Sequence, residues 1–294
     1  MDGVIVIDKP SGMSSHDVVQ RVRRLTGIKR VGHLGTLDPL GTGVLPVVVG
    51  QATRLSQFFL KHDRGYEATI RCGFATSTYD RDGEPTTDAV SVVLDRGELV
   101  EALASFSGEI LQTPPQVSAK KVGGVPAYKL ARKKQTVALA PVLVQFYEME
   151  LLDVGEDSFR IRILCSAGTY VRSLAHDLGG KLGCGAYVDE LRRTTMGEFD
   201  LSQAFTLPRL QELADQGRLE EALVPSSDLL PEMPNQYVDD VSAAGIAQGR
   251  DFRVTSFPTE HPAKRVKAIN SAGRLLAIGE LRLPGLYHPA VVFP

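Results

Sequence analysis

The chain has three cysteines in 294 residues, Cys72, Cys165 and Cys184; none sits in a C-x-x-C pair or beside a histidine at metal-ligand spacing. A disulfide framework is excluded by that pattern, and a metal centre is left without ligands. Cys72 and Cys165 fall on the apolar phase of alternating segments, where a thiol acts as a small hydrophobe, and such usage fits a reducing compartment. No apolar run approaches the roughly 20 residues of a membrane span. The opening MDGVIVIDKP lacks a basic stretch ahead of an apolar core and a small-residue cleavage site, so it reads as a first strand and the cytoplasm is the expected location. Also missing are the Gly-Lys-Ser/Thr ending of a Walker loop and a G-x-G-x-x-G turn. Neither His33 nor His176 comes with a Ser or Cys elbow, so triad hydrolysis has no support.

What is present is the composition of an ordinary globular protein, with 43% hydrophobic and 23% charged residues. The length favours two domains. A net charge of -2 would not by itself suggest a nucleic-acid partner, but the charges are segregated. Five Lys or Arg and no acid lie between Val18 and Leu37, and six (Lys120, Lys121, Lys129, Arg132, Lys133 and Lys134) with no acid between Gln112 and Tyr147. The acids gather elsewhere, with Asp80, Asp82, Glu84 and Asp88 in one cluster and eight more between Thr206 and Asp240. One basic face and an acidic back would result, and a basic face attracts phosphate backbones.

Apolar Val4 to Ile7 predicts a buried strand, and Ser14 opens a helix of about three turns through a capping-box pattern, with Gly27 ending it. Val44 to Val49 and the alternating Gly65 to Phe74 read as strands, the second placing Tyr66 on the apolar phase. A helix through Leu99, Leu103 and Phe106 is expected to end at Gly108. Val142 to Val154 and Phe159 to Cys165 are further strands, followed by a helix with Arg172 near its first turn. A cation there opposes the helix dipole, so a nearby anion is expected. The Pro- and acid-rich Pro225 to Pro234 marks a linker, after which Val241 to Gln248 reads as a helix and RVKAINS, RLLAIGELRL and HPAVVFP as compact strands. Strands and helices mix without a β-α-β rhythm, favouring an α+β fold with a largely antiparallel sheet.

The most unusual stretch is GHLGTLDPLGTGVLP, Gly32 to Pro46, which sets Asp38 among four glycines and ahead of Pro39. Glycines permit positive φ and close backbone approach, and Pro39 biases Asp38 toward an extended conformation. Spacing alone allows two readings of Asp38, a turn cap or a reactive carboxylate presented to a ligand.

Six ordered blocks over residues 3 to 199 carry a resemblance: GVIVIDKPSGM, the Asp38 loop, the Tyr66 strand, SAKKVGG, GTYVRSLAHDLG and LRRTTMGEF. Together they resemble the bacterial tRNA pseudouridine-55 synthases, the TruB family. The resemblance implies a pseudouridine-synthase fold, a large mixed, mainly antiparallel sheet flanked by helices over residues 1–230. A small β-rich, PUA-like RNA-binding domain over residues 231–294 completes it. It implies an isomerase that detaches uracil from one uridine of the tRNA T loop and rejoins it through C5, with no cofactor, no metal, no membrane and no obligatory protein partner, acting as a monomer. By the family motif, Asp38 is the catalytic carboxylate, Arg172 its paired cation and Tyr66 the stacking ring that assists the late proton transfer. Leu191 walls the uracil pocket, His33 fills the gap left by the flipped base, and Tyr170, Lys9 and Lys121 contact substrate, the two lysines at phosphates. Lys120, Val117 and Ala167 stand where the family usually has Leu, an aromatic and Lys; they touch RNA-contact segments and not the chemistry. Two other classes share these features: a non-catalytic RNA-binding or tRNA-folding protein, and the catalytic subunit of a guide-RNA pseudouridylation complex.

Overall fold

The computed structural model describes residues 1–118, 120–122, 125–126, 139–254 and 263–293. Ten of its strands form one sheet: β1 (Gly3–Lys9), β2 (Val31–His33), β3 (Thr42–Val49), β4 (Arg64–Cys72), β5 (Gly108–Gln112), β8 (Val142–Val154), β9 (Ser158–Cys165), β10 (Ala186–Met196), β11 (Phe199–Asp200) and β12 (Leu223–Pro225). The two-residue strands β6 (Lys121–Val122) and β7 (Val125–Pro126) pair apart from it. The order is β12-β1-β3-β10-β4-β9-β8-β5, with β2 on β3 and β11 on β10. Every pairing in it is antiparallel except one: β10 runs parallel to β3, through Arg192 opposite Thr42 and Arg193 opposite Gly43. That short seam joins the two halves of the sheet.

Helices cover one face. Helix α1 (Ser15–Thr26) starts from a capping box between Ser14 and Asp17 and stops at Gly27, whose φ of 69° is the left-handed cap that glycine provides without steric cost. Its Val18, Val19 and Val22 pack with Leu99 and Leu103 of α2 (Arg96–Ala104), Leu174 and Leu178 of α3 (Val171–Lys181) and Leu210 and Leu213 of α4 (Leu207–Asp215) over the sheet's Ile5, Ile7, Ile70 and Ile161. Each such side chain contributes about 1.5–3 kcal/mol by leaving water. The expected helix end at Gly108 is corrected to Ala104, because the chain turns at Ser105 and Gly108 opens edge strand β5. The strand expected to reach Phe74 stops at Cys72, where Gly73 adopts φ 118°.

The other face divides. On the β1–β3 side, Val4, Val6, Val44 and Val48 pack on Leu55 and Phe59 of a 3-10 segment, on Leu229 and Leu230, and on Ile269, Leu275 and Ile278 of a second sheet. This five-stranded sheet comprises β13 (Asn235–Tyr237), β14 (Phe252–Arg253), β15 (Arg265–Ile269), β16 (Leu275–Leu283) and β17 (Leu286–Val292), beside helix α5 (Asp240–Ala247). Its own small core is Ile246, Val266, Ala268, Ala277 and Tyr287. The segment between β12 and β13 is held from both sides: Lys267 Nζ donates to the Ser227 and Leu229 carbonyls at 2.9 and 2.7 Å, and Glu198 accepts from the Leu230 N–H at 3.1 Å. Burial pushes the Glu198 carboxyl up to about 7, with Glu232 adding to the rise and Lys267 opposing it.

On the β4–β9 side the face is open and carries a cross-strand charge ladder. Arg192 stands opposite Glu67, Glu67 opposite Arg162, and Arg162 opposite Glu150. Arg162 pairs with Glu67 and with Glu150, each at 2.9 Å, and Arg192 with Asp8 at 2.8 Å. Exposed pairs of this kind are worth at most about 1 kcal/mol each, so their main effect is to keep the sheet face polar. Among the described residues, no helix is long and apolar enough to cross a membrane.

Candidate active site

The Gly-rich loop lies where β3 begins, at the seam, and buried leucines anchor it. Leu34, Leu37 and Leu40 are all buried, which leaves Asp38 on the outer side of the turn, a third exposed. Ser15 of α1 grips Leu37 at both ends: its hydroxyl donates to the Leu37 carbonyl at 2.9 Å and accepts from the Leu37 N–H at 2.8 Å. The Gly41 N–H closes the turn on the Asp38 carbonyl at 3.0 Å, and the Gly12 N–H reaches the Pro39 carbonyl at 2.9 Å. Of the four loop glycines only Gly43 has a positive φ, 96°, and a Cβ there would lie 2.2 Å from the Arg193 carbonyl oxygen. It is the close approach of β3 and β10 that demands glycine.

Lys9 corrects an expectation. Read as a phosphate contact, it is instead fully buried, its ammonium donating to the carbonyls of Met13, Pro10 and Pro39 at 2.6, 3.0 and 3.2 Å. Burial brings that ammonium down to about 8. It braces the loop directly after Asp38 and has no free face for RNA.

Arg172 enters from the second residue of α3 and is buried. Its Nη2 lies 2.9 Å from Asp38 Oδ2 and its Nη1 3.3 Å from Asp80 Oδ2, and the same nitrogens donate to the Val117 and Thr78 carbonyls. The anion expected beside this helix start is therefore two carboxylates. Asp80, expected from sequence in an acidic cluster on the back of the molecule, is buried inside the site; burial raises its carboxyl above the usual range, opposed by the Thr78 hydroxyl and Arg172. A buried cation flanked by two acids is fixed in place and charge-paired.

These groups open into a cavity of about 560 Å³ lined by Asp38, Tyr66, Arg64, Tyr170, Arg172 and Leu191, among others. Tyr66 is both a core residue and a wall of this cavity; burial pushes its phenol up from the ordinary value. Leu191, buried on β10, faces the same space. Tyr170 caps α3 and is locked by Gln112, whose amide oxygen accepts its N–H at 2.8 Å and whose amide nitrogen donates to its carbonyl at 3.0 Å. His33 ends β2, half-buried and off this lining, its imidazole held below its ordinary value by burial. The side chain of Lys121, and Lys129, Arg132, Lys133 and Lys134, lie outside the described residues. Arg64 and Arg193 were missed by the sequence reading. Arg64 begins β4 at the cavity edge; Arg193, fully buried in the LRRTTMGEF block, is reached only by recognising β10 as a strand.

Comparison with known proteins gives the family. Residues 23–171 match the N-terminal domain model of the TruB family of pseudouridylate synthases, and residues 172–231 the C-terminal domain model of tRNA pseudouridylate synthase B. The chain belongs to the TruB family. A TruB relative, the tRNA pseudouridine synthase B of Solibacter usitatus, is 54% identical over 99% of this chain and 100% of its own length. The protein of the same name from Geobacillus thermodenitrificans is 40% identical over 100% of both. Among solved structures, a chain of an H/ACA RNP bound to a substrate RNA containing 2'-deoxyuridine matches with TM-score 0.73 and 24% identity, over 99% of this chain and 85% of that one. A chain of the archaeal box H/ACA sRNP Nop10-Cbf5 complex matches with TM-score 0.69 and 25% identity, over 96% and 79%. The TruB blocks thus bring Asp38, Tyr66, Arg172 and Leu191 to one cavity.

Proposed function

We propose that this pseudouridine synthase isomerises uridine 55 in the T loop of tRNA, with Asp38 as its catalytic carboxylate. The observation that carries the reading is Arg172, held between Asp38 and Asp80 at the wall of a cavity that also presents the Tyr66 ring. A base inside a folded RNA loop is out of reach, so the target nucleotide must be extruded, at a cost of a few kcal/mol, onto an aromatic stacking face. Tyr66 offers that face and Leu191 an apolar wall beside it. Arg172 pairs with the Asp38 carboxylate at 2.9 Å and orients it for any of three routes: addition to uracil C6, attack at ribose C1′ or removal of the C2′ proton. Uracil then turns and bonds through C5, and Tyr66 takes the C5 proton. His33 occupies the gap left in the loop, and Tyr170 lines the way in.

Phosphate contacts come from exposed Arg24, Lys29 and Arg30 at and beyond the end of α1 and from the Lys-rich segment that includes Lys121. Residues 1–230 form the catalytic domain and residues 231–294 a PUA-like RNA-binding domain; the protein acts as a cytoplasmic monomer. Full-length likeness to stand-alone tRNA pseudouridine synthases B favours this over a subunit that needs a guide RNA. The deciding experiment incubates the protein, without cofactor and with a chelator, with unmodified T-arm RNA. Pseudouridine at the target position is expected; binding without product would favour a tRNA-folding role, and product only with a guide RNA the complex-subunit role.

A further inference from the structure

Arg193 is the largest fully buried side chain among the described residues. It stands at the seam of the sheet, paired in register with Gly43 of β3 on one side and Tyr66 of β4 on the other. Among the described residues no carboxylate forms an ion pair with it. Its nitrogens donate to main-chain carbonyls instead: Nε to Val44 at 2.7 Å, Nη2 to Gly35 at 3.1 Å and Nη1 to Thr36 at 3.2 Å. Tyr66, directly opposite it on β4, shares its face of the sheet. A buried cation with no ion-pair partner is costly to desolvate, and an apolar side chain is often the more stable choice at such a place. Its place is therefore explained by what it holds. Gly35 and Thr36 are the residues just ahead of Asp38, and charge-assisted donors fix carbonyls about twice as firmly as neutral ones. The same cation is the leading group opposing the burial that raises the Tyr66 phenol.

We propose that Arg193 is a positioning residue that couples the two reactive groups, fixing the main chain ahead of Asp38 and orienting the Tyr66 hydroxyl as proton acceptor. It rests on the reading above that Asp38 and Tyr66 act on a flipped uridine. Tyr66 first gives its phenol proton to solvent, in the minor fraction that is ionised; in the last step the proton leaves uracil C5 for that phenolate, which becomes a phenol again, while the C–H electron pair returns to the ring and Arg193 stays protonated throughout.

The test measures single-turnover pseudouridine formation on unmodified T-arm RNA as a function of pH, together with the Kd for the same RNA. Arg193→Lys keeps the charge but loses donors; its rate should fall roughly 10- to 100-fold, the effect of a small misplacement at a reacting centre. Its Kd should stay within about threefold and its pH profile should match the parent's, since chemistry and not binding is touched. Arg193→Gln removes the charge and should also move the ascending limb of the profile to higher pH. In a Tyr66→Phe background neither substitution should move that limb. A lysine variant with the parental rate, a glutamine variant with an unmoved limb, or losses carried by Kd would each overturn the proposal. If Arg193→Gln does not fold, the Arg193→Lys and Tyr66→Phe cycle decides: losses that multiply independently overturn the coupling, and a double variant no slower than the slower single supports it. A parent protein that makes no pseudouridine would sink the proposed function instead, a result distinct from any of these.

Discussion

Arg172 and Asp38 meet at 2.9 Å between a buried guanidinium and a partly open carboxylate. The pairing is asymmetric. Arg172 keeps Asp80 and two carbonyls when Asp38 is altered, whereas in the described site Asp38 has no other ion-pair partner. The arginine's position is thus set by the fold, and the aspartate is what it presents.

From that asymmetry, Asp38→Asn should leave the site assembled. Turnover should fall about 10⁴-fold or more, while tRNA Kd changes by less than about threefold, the pattern of a group used only in the chemical step. Retained single-turnover activity would remove Asp38 from its role.

Lys9→Met separates bracing from phosphate binding. A lost phosphate contact would weaken binding and reduce the slope of log Kd against log salt by about one. Because the ammonium is spent on Met13, Pro10 and Pro39 carbonyls, the expected result is an unchanged salt slope with reduced turnover and a lower Tm.

Gly43→Ala places a methyl against the Arg193 carbonyl at 2.2 Å in a backbone with φ 96°. Strain and clash together should cost about 3 kcal/mol or more. A chemical-denaturation midpoint equal to the parent's would show that the seam relaxes freely.

Glu198 predicts a pH dependence of stability. Its folded-state carboxyl titrates about 7, above the unfolded value of 4.5. The native state therefore holds this proton longer than the unfolded chain. Its contribution is fully present below about pH 4.5 and is lost as pH rises toward 7. Glu198→Gln should flatten Tm against pH across that window and raise Tm at pH 8 relative to the parent. Parallel curves for the two proteins would contradict the assignment.

Much of the site was legible because loops and helix starts announce themselves. The Asp38 loop stood out through its glycines and proline, and Arg172 through a charge at the wrong end of a helix dipole. What stayed hidden was on strands, where adjacent residues face opposite ways. Asp8 and Arg192 go to the open face and pair there, while their neighbours Lys9 and Arg193 go inward to main-chain carbonyls. In sequence each doublet looks like one polar patch. Charges in the run Ala186 to Met196 also concealed β10, the strand that brings Leu191 and Arg193 to the site. Asp80 was averaged into its acidic neighbours, because only the tertiary fold sets Arg172 beside it.

The alternating ladder on the open sheet face has a bearing on how the enzyme meets its substrate. Arginines there are answered by Glu67, Glu150 and Asp8, so a polyanion sliding over that side finds no net field to hold it. The paired arginines of that face are committed to carboxylates and offer a phosphate backbone no unanswered row of cations.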